Sequence, residues 1–245
     1  MARFRFERVG VLALAVALSA AGAAAQTPSP DELVAKNVEA HGGKEKLASV
    51  QSLRITGTLS SQGQQMTLTT TLKRPNKIRQ EMNVPGAKLV HAYDGEKAWA
   101  LNPMMGPQPQ VIEGLQADTL KNQSMIDGLL VGYKERGDKL DVVGPATVEG
   151  RKAWELKLTR GDGQVLRVFL DAETYLEAQF AASVNQDGMN LDVATLMGDY
   201  QPADGLMLAR KVRTRVNGQE VATLNISNIE VNVPVEDSEF QMPTN

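Results

Sequence analysis

The feature that most constrains this chain is its punctuation. From Val50 onward, runs of roughly five to ten residues alternate apolar with polar, the period of a half-buried strand. Two-residue turn signals separate most of them: Gln62-Gly63, Pro75-Asn76, Asp94-Gly95, Glu149-Gly150, Asp162-Gly163, Asp187-Gly188, Asp204-Gly205 and Asn217-Gly218. Pairs of this kind supply the positive φ angles that tight hairpins need. Strands joined so closely must pair antiparallel. Met66–Lys73, Lys152–Thr159, Val165–Leu170 and Glu220–Val231 are clear candidates. The pattern predicts one antiparallel meander of roughly ten or eleven strands.

Such a sheet has to cover one face. In the first long strand Met66, Leu68, Thr70 and Leu72 point one way and Thr67, Thr69 and Thr71 the other, so one side is apolar and one tolerates water. Two helical pieces are available as cover. The first follows Ser29-Pro30-Asp31-Glu32, which has the form of a capping box with Pro at the first helical position. Leu33, Val34, Asn37 and Val38 mark its inner face, His41-Gly42-Gly43 ends it, and Lys44 to Ser49 continue as a further short helix. The second piece interrupts the meander between Pro103 and Gly132. There a Pro- and Met-containing stretch, Pro103 to Pro109, precedes a helix predicted over Ile112 to Gln123 with Ile112, Leu115 and Leu120 on one side. Met125, Ile126, Leu129 and Leu130 extend its apolar surface. No repeat or linker divides the chain, so residues 26–245 read as one domain.

The first residues address compartment. Arg3, Arg5 and Arg8 precede an apolar run from Val9 to Ala21, and Ala23-Ala24-Ala25 fits a cleavage site before Gln26. That is the layout of a secretory signal peptide over residues 1–25, cleaved after Ala25. An uncleaved anchor is the competing reading, but the run is short against the roughly 20 apolar residues a spanning helix needs. Cysteine is absent, which excludes disulfides, thiolate metal sites and lipidation of the chain itself. Losing Arg3, Arg5, Arg8 and Glu7 takes the formal charge from −3 to about −5. That balance argues against nucleic acid as a partner.

Catalytic and metal signatures are lacking. His41 and His91, the two histidines, stand in no metal-ligand spacing, and no G-x-S-x-G elbow or phosphate loop occurs. Gly161-Asp162-Gly163 lacks the spaced carboxylates of a calcium loop and reads as a turn. The expectation is a protein that is not an enzyme and needs no cofactor or metal. The ten methionines, against 4% aromatic residues, suit either gap-filling in a core or an adaptable binding surface.

Three segments carry a resemblance. Lys73-Arg74-Pro75-Asn76, then Asp94-Gly95-Glu96-Lys97-Ala98-Trp99, then Asn102-Pro103 are similar in order and spacing to the LolA family of periplasmic lipoprotein carriers. Ile226 to Pro234 with Phe240 resembles the closing strand of the broader outer-membrane lipoprotein-sorting group. The resemblance implies a mainly β fold with a helical lid (α+β): an unclosed antiparallel barrel covered by the N-terminal helix and the mid-chain insert. It implies that acyl chains of a lipoprotein or related lipid enter beneath the lid, and that cargo passes toward the outer membrane without nucleotide or metal. An inner-membrane donor complex and an outer-membrane receptor are the implied partners, and the protein would act as a periplasmic monomer. Arg74 matches the arginine of the family's K-R-P motif, which implies a role in lid closure and handover. The candidate hydrophobic groove comprises Leu68, Leu72, Met82, Trp99, Leu101, Leu115, Leu120 and Met125. Two other readings stand beside the carrier: a non-transporting binding or sensing module of the same fold that recognises an acylated ligand or partner protein, and an envelope enzyme.

Overall fold

The computed structural model describes residues 27–186 and 188–244. The expected signal peptide, and Asp187 of the expected Asp187-Gly188 turn, lie outside the described residues. The described chain begins with two helices, α1 (Pro30–Ala40) and α2 (Lys44–Ser49). Ser29 caps α1 as its sequence demands: its hydroxyl accepts from the Glu32 amide, and the Glu32 carboxylate accepts from the Ser29 amide at 2.6 Å. A cap of this kind is worth about 1 kcal/mol. Gly42, with φ +115°, turns the chain into α2, and a Cβ there would collide with the Gly205 carbonyl. Only glycine lets the helix end sit against that hairpin.

Five strands follow, β1 (Ser52–Ser61), β2 (Gln64–Lys73), β3 (Lys77–Val84), β4 (Ala87–Tyr93) and β5 (Ala98–Leu101), then a short β6 (Gln110–Ile112) and helix α3 (Gly114–Gln123). After a connector come β7 (Lys139–Val148), β8 (Arg151–Thr159), β9 (Val165–Asp171), β10 (Glu177–Gln186), β11 (Met189–Ala203), β12 (Leu206–Val216) and β13 (Gln219–Val231). Among the described residues these form one 13-stranded sheet in the order β6-β5-β4-β3-β2-β1-β13-β12-β11-β10-β9-β8-β7. All pairings are antiparallel. The β1–β13 pair joins two meanders, while β6 and β7 stay unpaired with each other. The result is an unclosed half-barrel with a helical lid.

The strand count exceeds the predicted ten or eleven for two reasons. Pro85-Gly86 makes a turn between β3 and β4, and an Asx turn at Asp171 makes one between β9 and β10; neither carries an Asn-Gly or Asp-Gly pair. The three-residue β6 also lies inside the segment read as strand-free. Ile112 accordingly belongs to this strand, opposite Ala98, and the helix starts two residues later than predicted, at Gly114.

The lid-covered face is filled at one end. Leu53, Leu72, Ile78, Tyr93 and Ala98 form a continuous cross-strand row that packs with Leu47, Val50, Leu120 and Leu206. A second cluster, with Leu33 of α1 and Leu130 and Tyr133 of the connector, covers Leu140, Leu156, Leu158, Val168 and Leu170 of the other meander. Each such side chain contributes about 1.5–3 kcal/mol by leaving water.

Candidate functional site

Beyond the filled end the same face stays apolar but is not covered. Side chains two residues apart on a strand share a face, so Leu68 follows the direction of Leu72, and Met82 that of Ile78. Leu89, Met82 and Leu68 stand directly opposite one another across β4, β3 and β2. The next row runs Met66, Leu59, Leu224, Val212 and Met197 across β2, β1, β13, β12 and β11. All eight are half-buried rather than buried. None belongs to a core cluster. They line an apolar trough that continues the core beyond the lid helices. A bulge at Ser227 lets β13 follow β1 around the curve. There Gly57 is buried, and a Cβ on it would lie 2.5 Å from the Asn225 carbonyl oxygen.

The predicted groove residues divide five ways. Leu68 and Met82 lie in the trough. Leu72, 7% exposed, and Leu120, 4% exposed, are core beneath the lid. Met125 lines a separate cavity at the sheet's end. Leu115 is 40% exposed on the solvent side of α3, because the helix begins at Gly114 and its facing residue is Leu120.

Trp99 and Leu101 are corrections. Ala98 joins the lid-side row, so its neighbour Trp99 must point to the opposite face. There Trp99 packs with Val90 and Ala92, with Leu101 and Met242 alongside. Its indole Nε1 donates to the Phe240 carbonyl at 2.8 Å, and Arg79 stacks over its ring at 5.6 Å. The C-terminal segment thus seals the outer face, tied further by Lys73 and Lys77, which both reach Asp237. The two cations pull the Asp237 carboxyl down to about 2. A one-residue difference in register is enough to move a side chain from groove to outside.

Arg74 stands where β2 ends, with a cis bond to Pro75. Its Nη2 donates to the Leu47 carbonyl at 2.9 Å and its Nε to the Val50 carbonyl, both at the C-terminal end of α2. Nη1 and Nη2 also donate to the two carboxylate oxygens of Asp127, just beyond α3, each at 2.5 Å. One guanidinium therefore binds both helical pieces to the sheet, in the fork geometry that Arg alone offers. Asp127 raises the Arg74 pKa further above its ordinary value. The sequence did not mark Asp127, a single acid in a connector with no spacing signal.

A second tie escaped sequence reasoning as well. His41, just past α1, contacts the Met207 carbonyl through Nδ1 at 2.8 Å and Glu177 through Nε2 at 2.7 Å. The Met207 carbonyl can only accept, and so can Glu177 when ionised; with Glu177 charged, both ring nitrogens donate, as an imidazolium does. Burial works against that charge, but the Glu177 bond and charge outweigh it and raise the His41 pKa. Glu177 is held below its ordinary value: burial opposes ionisation, and the His41 bond and charge overcome it. Tyr200 donates to the Glu177 carbonyl at 2.9 Å, and its own pKa is pushed up by burial and by that carboxylate. His91 lies on the lid-covered face opposite Gln80, with its pKa lowered by burial. Among the described residues no group of three or more His, Asp or Glu side chains is placed to hold a metal ion.

No protein-family model and no curated protein matches the sequence. Solved structures do match in shape. A LolA superfamily protein from Nitrosomonas europaea superposes with a TM-score of 0.61 at 11% identity, over 87% of this chain and 98% of that one. A DUF1329 family protein from Desulfovibrio piger gives 0.60 at 12% identity, over 86% and 96%. A domain assigned to outer-membrane lipoprotein sorting, from Vibrio parahaemolyticus, gives 0.53 at 12% identity, over 84% and 97%. Because the match spans nearly the whole of each of these structures, the chain shares their architecture: it has a LolA-like fold.

Proposed function

We propose that the protein is a periplasmic carrier that takes the acyl chains of a lipoprotein, or of a related lipid, into the trough and shuttles them toward the outer membrane. The observation that carries this reading is the trough itself. Two cross-strand rows of half-buried aliphatic and methionine side chains continue the core past the lid and are left without protein to cover them. An apolar surface built in register across seven strands or so is expensive to leave in water unless a ligand covers it. Flexible Met66, Met82 and Met197 suit chains of varying shape. The shared fold of the lipoprotein-sorting domain supports the same reading.

Carriage of this kind needs no catalyst. Each CH₂ moved from water into the trough gains about 0.8 kcal/mol, and a second apolar pocket recovers the same amount at delivery. Transfer is then an exchange between like environments, without cofactor or nucleotide. The residue we assign to control it is Arg74, which fastens α2 and the segment after α3 at once. Export by cleavage after Ala25 puts the protein between an inner-membrane donor and an outer-membrane receptor, and it works there as a monomer.

Native mass spectrometry of the mature protein, purified from the periplasm without detergent, tests the proposal. An added mass matching a diacylated or triacylated species is expected. A clean protein mass, with no uptake of offered lipid or lipopeptide, overturns carriage. A stable protein complex with an empty trough would instead identify a binding module.

A further inference from the structure

A cavity of about 590 Å³ opens at the end of the sheet, outside the trough; its walls include Pro75, Lys121, Met125, Ile126, Val131, Arg136 and Arg160. Its charges do not balance locally. Asp127 is taken by Arg74 from outside the cavity. Asp138 is taken by Arg136 at 3.0 Å and by the Gly161 amide at 3.1 Å. Arg136 also donates to the Val131 and Leu129 carbonyls. Two cations are left against the single carboxylate of Asp162. Lys121 is exposed at the rim, in the last turn of α3, with no ion-pair partner among the described residues.

Arg160 is the unusual group. It is 7% exposed, yet its Nε has no hydrogen-bond partner. Asp162 approaches Nε only to 3.6 Å, and Asp162 is itself half-exposed with one oxygen accepting the Gln164 amide. Of the guanidinium's donors, Nη1 alone is engaged well, with Asn122 at 2.6 Å. A buried guanidinium with an unpaired donor is costly, and Arg160 is one of the residues that line the cavity. Beside it Met125, Ile126 and Val131 offer an apolar wall.

We propose that this cavity binds the phosphate of an amphiphile, with Arg160 and Lys121 on the phosphate oxygens and Met125, Ile126 and Val131 against the first carbons of its apolar part. A fork of guanidinium donors fits phosphate oxygens pairwise. The volume lies within the range of small-molecule sites and exceeds what a bare anion fills. No trough residue lines the cavity, so the site stands whether or not the trough carries acyl chains.

Titration calorimetry on the mature protein tests this with three probes: dihexanoyl phosphatidic acid below its micelle concentration, inorganic phosphate, and uncharged dihexanoylglycerol. In Leu68→Arg, whose trough is closed to acyl chains, one equivalent of the phosphatidic acid is expected to bind, at least about tenfold tighter than inorganic phosphate. Lys121→Glu should weaken it by about tenfold, and Arg160→Gln should abolish it. Lys121 is exposed, so its variant keeps the test valid if Arg160→Gln does not fold. Equal affinity for inorganic phosphate would overturn the amphiphile and leave a free-phosphate site. No binding of either anion, or binding indifferent to Lys121→Glu, would overturn the site altogether. Dihexanoylglycerol separates the two proposals: it reports on the trough, is lost in Leu68→Arg, and is unchanged in Lys121→Glu.

Discussion

Replacing Arg74 by leucine removes four donor contacts at once: two to Asp127 and one each to the Leu47 and Val50 carbonyls. The Arg74 side chain is 25% exposed and Asp127 28%, so the pair lies between two regimes. An exposed pair is worth about 0.2–1 kcal/mol and breaking a buried one costs about 3–5. A value near 2 kcal/mol fits this exposure, and the two carbonyls add up to about 1 more, since water replaces part of what they lose. The total, about 2–3 kcal/mol, is well inside the roughly 5–15 of a typical domain, so Arg74→Leu folds. The loss is local, because the cluster beneath α1 over β7, β8 and β9 shares no residue with the Arg74 contacts. Hydrogen exchange should therefore show amides of α2 and of residues 124–128 opening about 30- to 150-fold more readily, with β8 and β9 unchanged. Asp127→Asn, which keeps both carbonyl contacts, should show about half the effect in free energy. Uniform acceleration across the sheet, or full protection of α2 in Arg74→Leu, would refute the fastening argument. In transport, the same variant should fail in closure or release while its trough still takes up acyl probe.

Leu68→Arg or Met82→Glu places a charge in the trough at a half-buried position. Either variant should change stability by less than about 1 kcal/mol while abolishing uptake of a fluorescent acyl probe, read by titration. The His41–Glu177 pair predicts a bounded pH window. The raised His41 pKa makes its contribution complete below the ordinary histidine value of 6.5 and lost as pH rises through the raised value. The lowered Glu177 pKa makes its own contribution present above 4.5 and lost as pH falls through the depressed value. Urea unfolding from pH 4 to 9 should show the wild-type advantage over His41→Gln shrinking on the alkaline side; an advantage that grows there would contradict the imidazolium. Trp99→Phe removes the bond to the Phe240 carbonyl and should cost about 1–2 kcal/mol, with limited proteolysis cutting first in the C-terminal segment. Acyl loading should leave protection of that segment unchanged, since it lies on the outer face.

What could be read from the sequence was local. The capping box at Ser29 and Glu32 fixes its helix within four residues, and Gln62-Gly63, Glu149-Gly150, Asp204-Gly205 and Asn217-Gly218 all take positive φ at both positions, as tight hairpins demand. Those signals need no knowledge of the rest of the chain. The trough needed it. Leu68 and Trp99 are both apolar residues on alternating strands, and only the pairing of Ala98 with Tyr93 and Ile112 decides that Trp99 faces outward. Asp127 and Glu177 were invisible for a stronger reason: each is one carboxylate among many, given meaning by a partner 53 or 136 residues away.

Under the proposed carrier function, those long-range partners would let a lid close firmly and still open. If α2 and the segment after α3 were held by apolar burial alone, separating them would expose surface in proportion to the opening, and the barrier would grow with cargo size. The contacts at Arg74 behave differently. They are directional, they are partly exposed to water that can replace them, and they fail over a short displacement because hydrogen bonds weaken steeply with angle and distance. One side chain holds both pieces, so a receptor that offers a competing carboxylate to Arg74, or a cation to Asp127, would release them together. His41 and Glu177 hold α1 separately, through a buried pair that water does not readily replace. In the proposed carrier the N-terminal helix is therefore expected to stay as the hinge side of the lid while the Arg74 side opens. Charge reversal tests this asymmetry: Asp127→Lys should free α2 and the segment after α3 together and leave the protection of α1 intact. Loss of α1 protection in that variant would mean that the lid moves as one body.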